Sequence, residues 1–199
     1  MERDEELRAL SALAARVAGG GTARAVVVTG AAGTGKSRLA REFLASLPDG
    51  WATATVRLSP TLVLLPTPPP RRPLAMVVED AHHLDPGQLD TLPDQLDGLG
   101  AVLLVLTCRL GHQPGRDATL RVVARLVRTE GIQELRLGPL SPAGVERMAA
   151  AMGRYPPADL YARTGGNPFW AEELLRATDR VPWTVVEAVT AQLEALPEA

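Results

Sequence analysis

A run of small residues around one lysine offers the clearest chemistry in this sequence. Residues 30–37 read GAAGTGKS and match the pattern G-x-x-x-x-G-K-[ST] through Gly30, Gly35, Lys36 and Ser37. Small residues let backbone N–H groups converge on one concavity, where they hold phosphate oxygens. A lysine at the start of the following helix can reach the β and γ phosphates, and the hydroxyl after it can bind Mg²⁺. The pattern therefore predicts a Walker A loop for a nucleoside triphosphate.

Two adjacent acids follow an apolar strand further along the chain. Glu79 and Asp80 end the run MVVED, where a buried strand stops. In phosphoryl transfer one carboxylate holds Mg²⁺, directly or through water, and the other orients or deprotonates the attacking water. We interpret the two acids as a Walker B pair in which either can take either role, with a pair of solvated acids as the alternative. The predicted metal ligands are Ser37, Glu79 and Asp80.

Arg109 ends the next apolar strand, in the run LTCR that also contains Thr107. Ligands of open α/β sheets gather at this carboxyl edge. Arg109 is therefore a candidate sensor of the γ-phosphate, with an ordinary surface arginine as the alternative. Together with Asp80, Glu79 and Lys36 it completes the predicted catalytic set.

The histidines and the cysteine predict little chemistry of their own. His82 and His83 are adjacent, so their side chains diverge on a helix, and we expect no zinc site there. Cys108 is the only cysteine, which excludes a disulfide within the chain and predicts a small buried side chain.

Buried strands and helices alternate up to Leu137. The strands are continuous apolar runs, as in parallel sheets that helices cover on both faces. We predict strands at residues 23–30, 51–58, 73–80, 101–109 and 132–137. We predict helices before residue 19 and at residues 37–47, 86–96 and 118–128. The alternation predicts an α/β fold, a P-loop NTPase three-layer sandwich around a five-stranded, mainly parallel sheet.

After Leu137 only helical patterns follow. They lie at residues 141–152, 157–165, 167–178 and 182–196. Three of them start at Ser-Pro, Pro-Pro or Asn-Pro pairs, where proline suits the first helical turn. We therefore predict a nucleotide-binding α/β domain over residues 1–138. Residues 139–199 are predicted to form a small helical lid and the start of a linker.

Composition limits the classes of partner. The 199 residues carry 21 basic and 23 acidic side chains, for a net charge of −2. This balance, without a basic recognition helix, predicts no direct nucleic-acid binding. No apolar run is long enough for a bilayer, and the charged start is unlike a signal peptide, so we expect a cytoplasmic protein without a membrane partner.

Four motifs occur in order along the chain: GAAGTGKS, MVVEDAHHLD, LLVLTCR and GGNPFWAEEL. This set resembles the STAND class of AAA-like ATPases, and most closely the ATPase domains of large LuxR-type bacterial transcriptional regulators. The resemblance covers nearly the whole chain. ERDEELRAL is similar to the family's opening motif, and LRLGPLSPAGVERMA is similar to its entry into the helical lid.

The resemblance implies a switch that binds ATP or ADP and hydrolyses ATP slowly with Mg²⁺. Arg3 matches the arginine of the opening motif, which lies against the adenine, and Pro168 matches the proline that closes over the base. The predicted nucleotide-binding set is Gly30, Gly33, Thr34, Gly35, Lys36, Ser37, Arg38, Arg3 and Pro168. In the family a sensor region and an effector, often a DNA-binding helix-turn-helix, share the polypeptide. Neither is present in this sequence.

The sequence departs from the family pattern in three places. Glu2 stands where the opening motif has glycine, and Glu79 stands where the first acid is usually Asp. Ser37 and Glu79 are also closer in sequence than in the family. A proline-rich stretch at residues 59–73 replaces the helical material between them, either as an extended connection or as a partner motif. The shortening predicts an exposed sheet edge that favours self-association.

Two other functions remain open. One is a protein-interaction module that holds nucleotide without hydrolysing it. The other is an oligomeric AAA+ remodelling ATPase, which needs an arginine finger from a neighbouring subunit. The candidate fingers are Arg71, Arg72, Arg116, Arg121 and Arg125.

Overall fold

The computed structural model describes residues 3–20, 24–57, 71–97, 99–109 and 117–177. Five strands form one sheet in the order β2-β3-β4-β1-β5, and every pairing is parallel. The strands are β1 (Arg24–Gly30), β2 (Ala52–Arg57), β3 (Leu74–Glu79), β4 (Val102–Arg109) and β5 (Ile132–Arg136). The predicted P-loop NTPase-like α/β fold is confirmed.

Eight helices accompany the sheet within the described residues. They are α1 (Asp4–Gly20), α2 (Lys36–Ser46), α3 (Pro86–Asp90), α4 (Leu92–Leu96), α5 (Asp117–Leu126), α6 (Pro142–Ala151), α7 (Leu160–Thr164) and α8 (Pro168–Arg176). A short 3₁₀ turn at Ala81–His83 follows β3. None of these helices has both the length and the apolar character that crossing a membrane requires.

The inner strands β1, β3 and β4 are mostly apolar and buried because helices cover both faces of the sheet. Val26 and Val28 of β1 belong to a cluster with Leu39 and Phe43 of α2. Val27, the residue between the two valines, belongs to a second cluster on the opposite face, with residues of α3, α4 and α5. Successive strand residues point to opposite faces, so three valines in a row supply both cores.

Three helical predictions differ in detail. The predicted helix at 86–96 is two short helices, α3 and α4, because Pro93 has no N–H to donate to a continuous ladder. The predicted helix at 157–165 is reduced to α7, which ends where Gly165 adopts φ 55°. The first helix, predicted to end before residue 19, extends through Gly19 and Gly20.

Two predictions fall on residues outside the described ranges. These are the helix at 182–196 and most of the proline-rich stretch at 59–73. β2 lies at one edge of the sheet. Residues 58–70, which follow β2, lie outside the described ranges. Self-association through this edge therefore stays a prediction.

The chain divides into two compact units. The sheet unit contains Arg3–Ala31 and Lys36–Leu137. The helical unit contains Gly138 and the residues after it, and also the loop tip Ala32–Gly35. The predicted domains, 1–138 and 139–199, assign this loop tip to the first domain. These bounds stay a prediction.

A small apolar core holds the helical unit. Leu140, Val145, Met148, Ala149, Leu160, Ala171 and Leu175 form one buried cluster. Two of its helices have side-chain caps at their first turns: Ser141 Oγ accepts from the Gly144 N–H at 3.1 Å, and Asn167 Oδ1 accepts from the Phe169 N–H at 3.0 Å. Such caps satisfy N–H groups that have no partner within the helix.

Candidate phosphate-binding site

The segment Gly30–Ser37 connects the inner strand β1 to helix α2. Gly33 and Gly35 adopt φ of 77° and 93°, in the left-handed region that side-chain-bearing residues rarely occupy. α2 begins at Lys36, so the first turn of a helix directly follows the loop. Strand, glycine-containing loop and helix therefore occur in the order that the Walker A pattern requires.

Lys36 folds back on the loop from which it emerges. Its Nζ donates to the carbonyl oxygens of Gly30 at 2.9 Å and Ala31 at 2.7 Å, and only 7% of the residue is exposed. Burial, and after it the Arg109 guanidinium, lower the pKa of Lys36 to about 8 against the opposing effect of Asp80. An anion that replaced water here would raise this pKa by stabilising the ammonium.

Glu79 and Asp80 occupy different environments although they are adjacent. Glu79 is the last residue of β3 and is 7% exposed. Strand alternation places it on the same face as Ala75 and Val77, which pack in the cluster that contains α2. Asp80 lies beyond the strand with φ 54° and ψ 45°, the only residue other than glycine with positive φ in the described part of the chain.

Thr107 and Arg109 of β4 hold Asp80 in place. Thr107 Oγ1 accepts a hydrogen bond from the Asp80 N–H at 2.9 Å. Arg109 Nε donates to Asp80 Oδ1 at 3.3 Å, so this arginine pairs with the acid. The left-handed conformation costs about 1 kcal/mol or more for a residue other than glycine, and the bond to Thr107 helps to maintain it.

His82 lies beneath this pair. The Arg109 N–H donates to His82 Nδ1 at 3.4 Å, and the same nitrogen is 3.8 Å from Asp80 Oδ1. His82 Nδ1 therefore contacts the backbone of Arg109. The rings of His82 and His83 lie 4.4 Å apart between centroids.

The loop tip is bound by the first turn of α8 within the helical unit. Asn167 Nδ2 donates to the Ala32 carbonyl oxygen at 2.8 Å, and the Phe169 N–H donates to the Gly33 carbonyl oxygen at 3.2 Å. A Cβ atom on Gly33 would lie 2.6 Å from Asn167 Oδ1 and 2.7 Å from the Phe169 Cβ. Gly33 is thus needed both for its backbone conformation and for this close approach.

The remaining predicted binding residues have other surroundings. Arg3 Nη1 pairs with Glu6 Oε1 at 3.0 Å, and exposed Arg38 pairs with Glu42 Oε1 at 3.0 Å one helical turn later. Pro168 is the first residue of α8. The roles of Arg3, Arg38 and Pro168 at a nucleotide stay predictions.

The oxygen ligands in the sheet unit suit a divalent ion held together with phosphates. Ser37 is half-buried in the first turn of α2, and the Glu79 carboxylate is on the sheet face that packs with α2. In the described ranges, no cluster of three or more His, Cys, Asp or Glu side chains could form a metal site. Mg²⁺ commonly takes one or two protein oxygens and completes its shell with phosphates and water, which fits this donor set.

Sequence reasoning missed what two polar residues bind. Thr107 was recognised only by its place at the end of β4, and nothing in LTCR indicates that its hydroxyl binds the Asp80 N–H. The Asn-Pro pair at 167–168 predicts a helix start. The contact of the same asparagine with Ala32 has no signal in the sequence, because it joins residues far apart along the chain.

Comparisons with known proteins bear on the fold of the chain. Residues 1–68 match a family model described as an AAA ATPase domain. Three structures of RuvB from Thermotoga maritima, a Holliday junction branch migration motor, align at 20% identity with TM-scores of 0.56, 0.53 and 0.50. The alignments cover 96–98% of this chain and 70–72% of RuvB, and at this identity they show a shared P-loop NTPase-like fold. No protein with a curated description matches the chain.

Proposed function

We propose that the chain binds ATP or ADP at the Gly30–Ser37 loop and hydrolyses ATP slowly with Mg²⁺. In this proposal it is the nucleotide-operated regulatory module of a STAND-class regulator of the LuxR type. The main support is the position of Lys36, whose ammonium group caps the carbonyls of its own loop at the start of α2. A phosphate would offer stronger acceptors than these neutral carbonyls, because the attraction between opposite charges adds to the hydrogen bond.

The acids and Arg109 then divide the chemistry. Glu79, on the α2 face of the sheet, joins Ser37 in holding Mg²⁺, which when bound neutralises charge on the transferred phosphoryl group. Asp80 orients the attacking water and accepts its proton. Arg109 pairs with Asp80 until it transfers to the γ-phosphate. These assignments are supported by the face of β3 that carries Glu79 and by the Asp80–Arg109 contact.

Nucleotide binding is tested by calorimetric titration of ADP and Mg²⁺ into the wild type, Lys36→Ala and Arg16→Ala. Arg16→Ala is the control because it removes one positive charge from the exposed face of α1. We expect Lys36→Ala to weaken ADP binding by about 10- to 100-fold and Arg16→Ala to bind as the wild type. Equal binding by all three proteins, or none by the wild type, would contradict the proposal.

The Asp80–Arg109 contact also favours the second candidate, a module that holds nucleotide without hydrolysing it. Asp80 Oδ1 already accepts a hydrogen bond from Arg109 Nε, so this oxygen is engaged and does not face an attacking water freely. Single-turnover hydrolysis of labelled ATP, with protein in excess, separates the two functions. Cleavage that requires both Mg²⁺ and Asp80 supports a switch with turnover, whereas bound and uncleaved ATP supports the holding module. A strictly monomeric protein with ATP present would exclude an oligomeric remodelling ATPase.

A further inference from the structure

We infer that Asn167 is a positioning residue for the phosphate loop, through which α8 sets the affinity of the loop for phosphate. This inference rests on the proposed function and names the residue that prepares the site for its ligand. The observation behind it is that one amide side chain makes hydrogen bonds both to the first turn of α8 and to the loop. Asn167 Oδ1 accepts from the N–H groups of Phe169 and Trp170, and Nδ2 donates to the Ala32 carbonyl oxygen.

The orientation of the Asn167 amide follows from its partners. The first turn of α8 presents N–H donors, and only Oδ1 of the amide can accept their hydrogen bonds. The Ala32 carbonyl presents an acceptor, which only Nδ2 can satisfy. The backbone N–H of Asn167 also donates to Thr164 O at 2.9 Å, so the residue is fixed at its main chain as well.

Two successive carbonyls of the loop are held in this way. Asn167 binds Ala32 O, and the Phe169 N–H binds Gly33 O. In a trans peptide the C=O and the N–H of one unit point in opposite directions. Fixing the carbonyls of Ala32 and Gly33 toward α8 therefore directs the N–H groups of Gly33 and Thr34 away from it. Groups of successive backbone N–H donors aimed at one place are what binds phosphate in such loops.

Gly33 provides an independent indication of the same relationship. The Walker A pattern leaves this position open, yet a Cβ here would collide with Asn167 Oδ1 and with the Phe169 side chain. The contact with α8 therefore restricts position 33 to glycine. A loop shaped from outside before phosphate arrives needs less reorganisation when phosphate binds, which increases affinity.

The test uses two substitutions that keep the helix cap and remove the donor to the loop. Serine and aspartate both cap helices as well as asparagine does. The serine side chain in Asn167→Ser is too short to reach Ala32, and the aspartate side chain in Asn167→Asp has no N–H to donate. We expect ADP affinity to fall by about five- to tenfold in Asn167→Ser and further in Asn167→Asp, whose charge repels phosphate. The thermal midpoint without nucleotide should stay within a few degrees of the wild type.

Two controls separate positioning from stability. Ser141→Ala removes the cap of α6 in the same unit without touching the loop, so it should lower the thermal midpoint and leave ADP affinity unchanged. Inorganic pyrophosphate, which has no base, should lose affinity in Asn167→Ser by the same factor as ADP. In nuclear magnetic resonance, the Gly33 and Thr34 amide hydrogens should exchange faster in Asn167→Ser.

The outcomes distinguish this inference from the proposed function. If Lys36→Ala loses ADP binding while Asn167→Ser binds as the wild type, the positioning role is wrong and the nucleotide site remains. A loss confined to ADP and absent with pyrophosphate would place Asn167 at the base, and would also overturn the inference. No binding of ADP by the wild type would overturn both.

Discussion

Lys36 donates to the carbonyl oxygen of Gly30, six residues earlier, across a distance of 2.9 Å. The lysine therefore uses the loop's own carbonyls as partners for its ammonium. The sequence contains 20 arginines and no other lysine, so every signal from a lysine side chain in this protein reports on the phosphate loop.

The first prediction concerns the titration of Lys36. Protein labelled with ¹³C at the lysine ε-carbon should give one resonance, with a midpoint about 8 in place of 10.5. Above this pH the nucleotide-free protein loses the proton that phosphate binding requires, so ADP affinity should fall by at most about tenfold per pH unit. Binding at pH 8 should take up protons, seen as calorimetric heats that depend on the buffer. A midpoint near 10.5 would contradict the prediction.

The same lowered pKa has a consequence for stability. Between pH 8 and 10.5 the unfolded chain holds a proton on Lys36 that the folded protein has released. Lys36 therefore makes the free energy of unfolding rise with pH across this interval. Lys36→Met should remove that rise when the two proteins are compared by urea unfolding at several pH values.

The second prediction concerns the charged neighbours of Lys36. Arg109 lowers the Lys36 pKa and Asp80 raises it. Arg109→Gln should move the single lysine midpoint upward, and Asp80→Asn should move it downward. Arg136→Gln serves as the control, since Arg136 lies on β5 and does not contribute to the shift. Shifts in the opposite directions would mean that these side chains do not face the lysine.

The third prediction concerns Asp80 in catalysis. Asp80→Asn is preferable to Asp80→Ala, because asparagine tolerates the left-handed conformation that this residue adopts and alanine does not. If Asp80 accepts the proton of the attacking water, single-turnover hydrolysis should fall by about 10²- to 10⁴-fold with ADP affinity maintained.

Asp85→Asn is the matched control for Asp80→Asn. It makes the same chemical change at the cap of α3, where asparagine still accepts from the Gly87 N–H. Hydrolysis should be unaffected in this variant. Normal hydrolysis by Asp80→Asn would remove the residue from the catalytic set.

The fourth prediction concerns Cys108. The thiol is fully buried, and burial raises its pKa to about 11. Its modification by a thiol reagent at pH 8 therefore requires opening of the sheet unit. If the opened form does not bind ADP, then ADP at 100 times its dissociation constant should slow the labelling ~100-fold. Fast labelling that ignores ADP would show that the thiol becomes accessible without loss of the site.

The fold was largely predictable because its signals are local. Continuous apolar runs such as residues 101–109 can satisfy their burial only in a sheet covered on both faces, and the helices between them made that sheet parallel. The glycines of the loop and the Asn-Pro start of α8 are likewise local features. The division of α3 from α4 could have been predicted from Pro93.

The relationships within the site were not predictable, because they join distant residues through polar atoms. The Asp80 N–H with Thr107 Oγ1, and Ala32 O with Asn167 Nδ2, depend on which strands and helices become neighbours. Arg38 illustrates the reverse case. Its pairing with Glu42 follows from helical spacing alone, whereas the adjacent motif predicted a contact with nucleotide.

The strand order has a consequence for how the protein acquires its site. β1 pairs with β4 and β5, which come much later in the sequence, whereas β2 pairs with the next strand along the chain. Closing such long loops is slow, so the pairing of β1 with its two neighbours is completed late during folding. The phosphate loop directly follows β1. In refolding experiments, ADP binding should therefore lag behind the recovery of helical circular dichroism, and a chain still being synthesised should gain the loop only after β5 has left the ribosome.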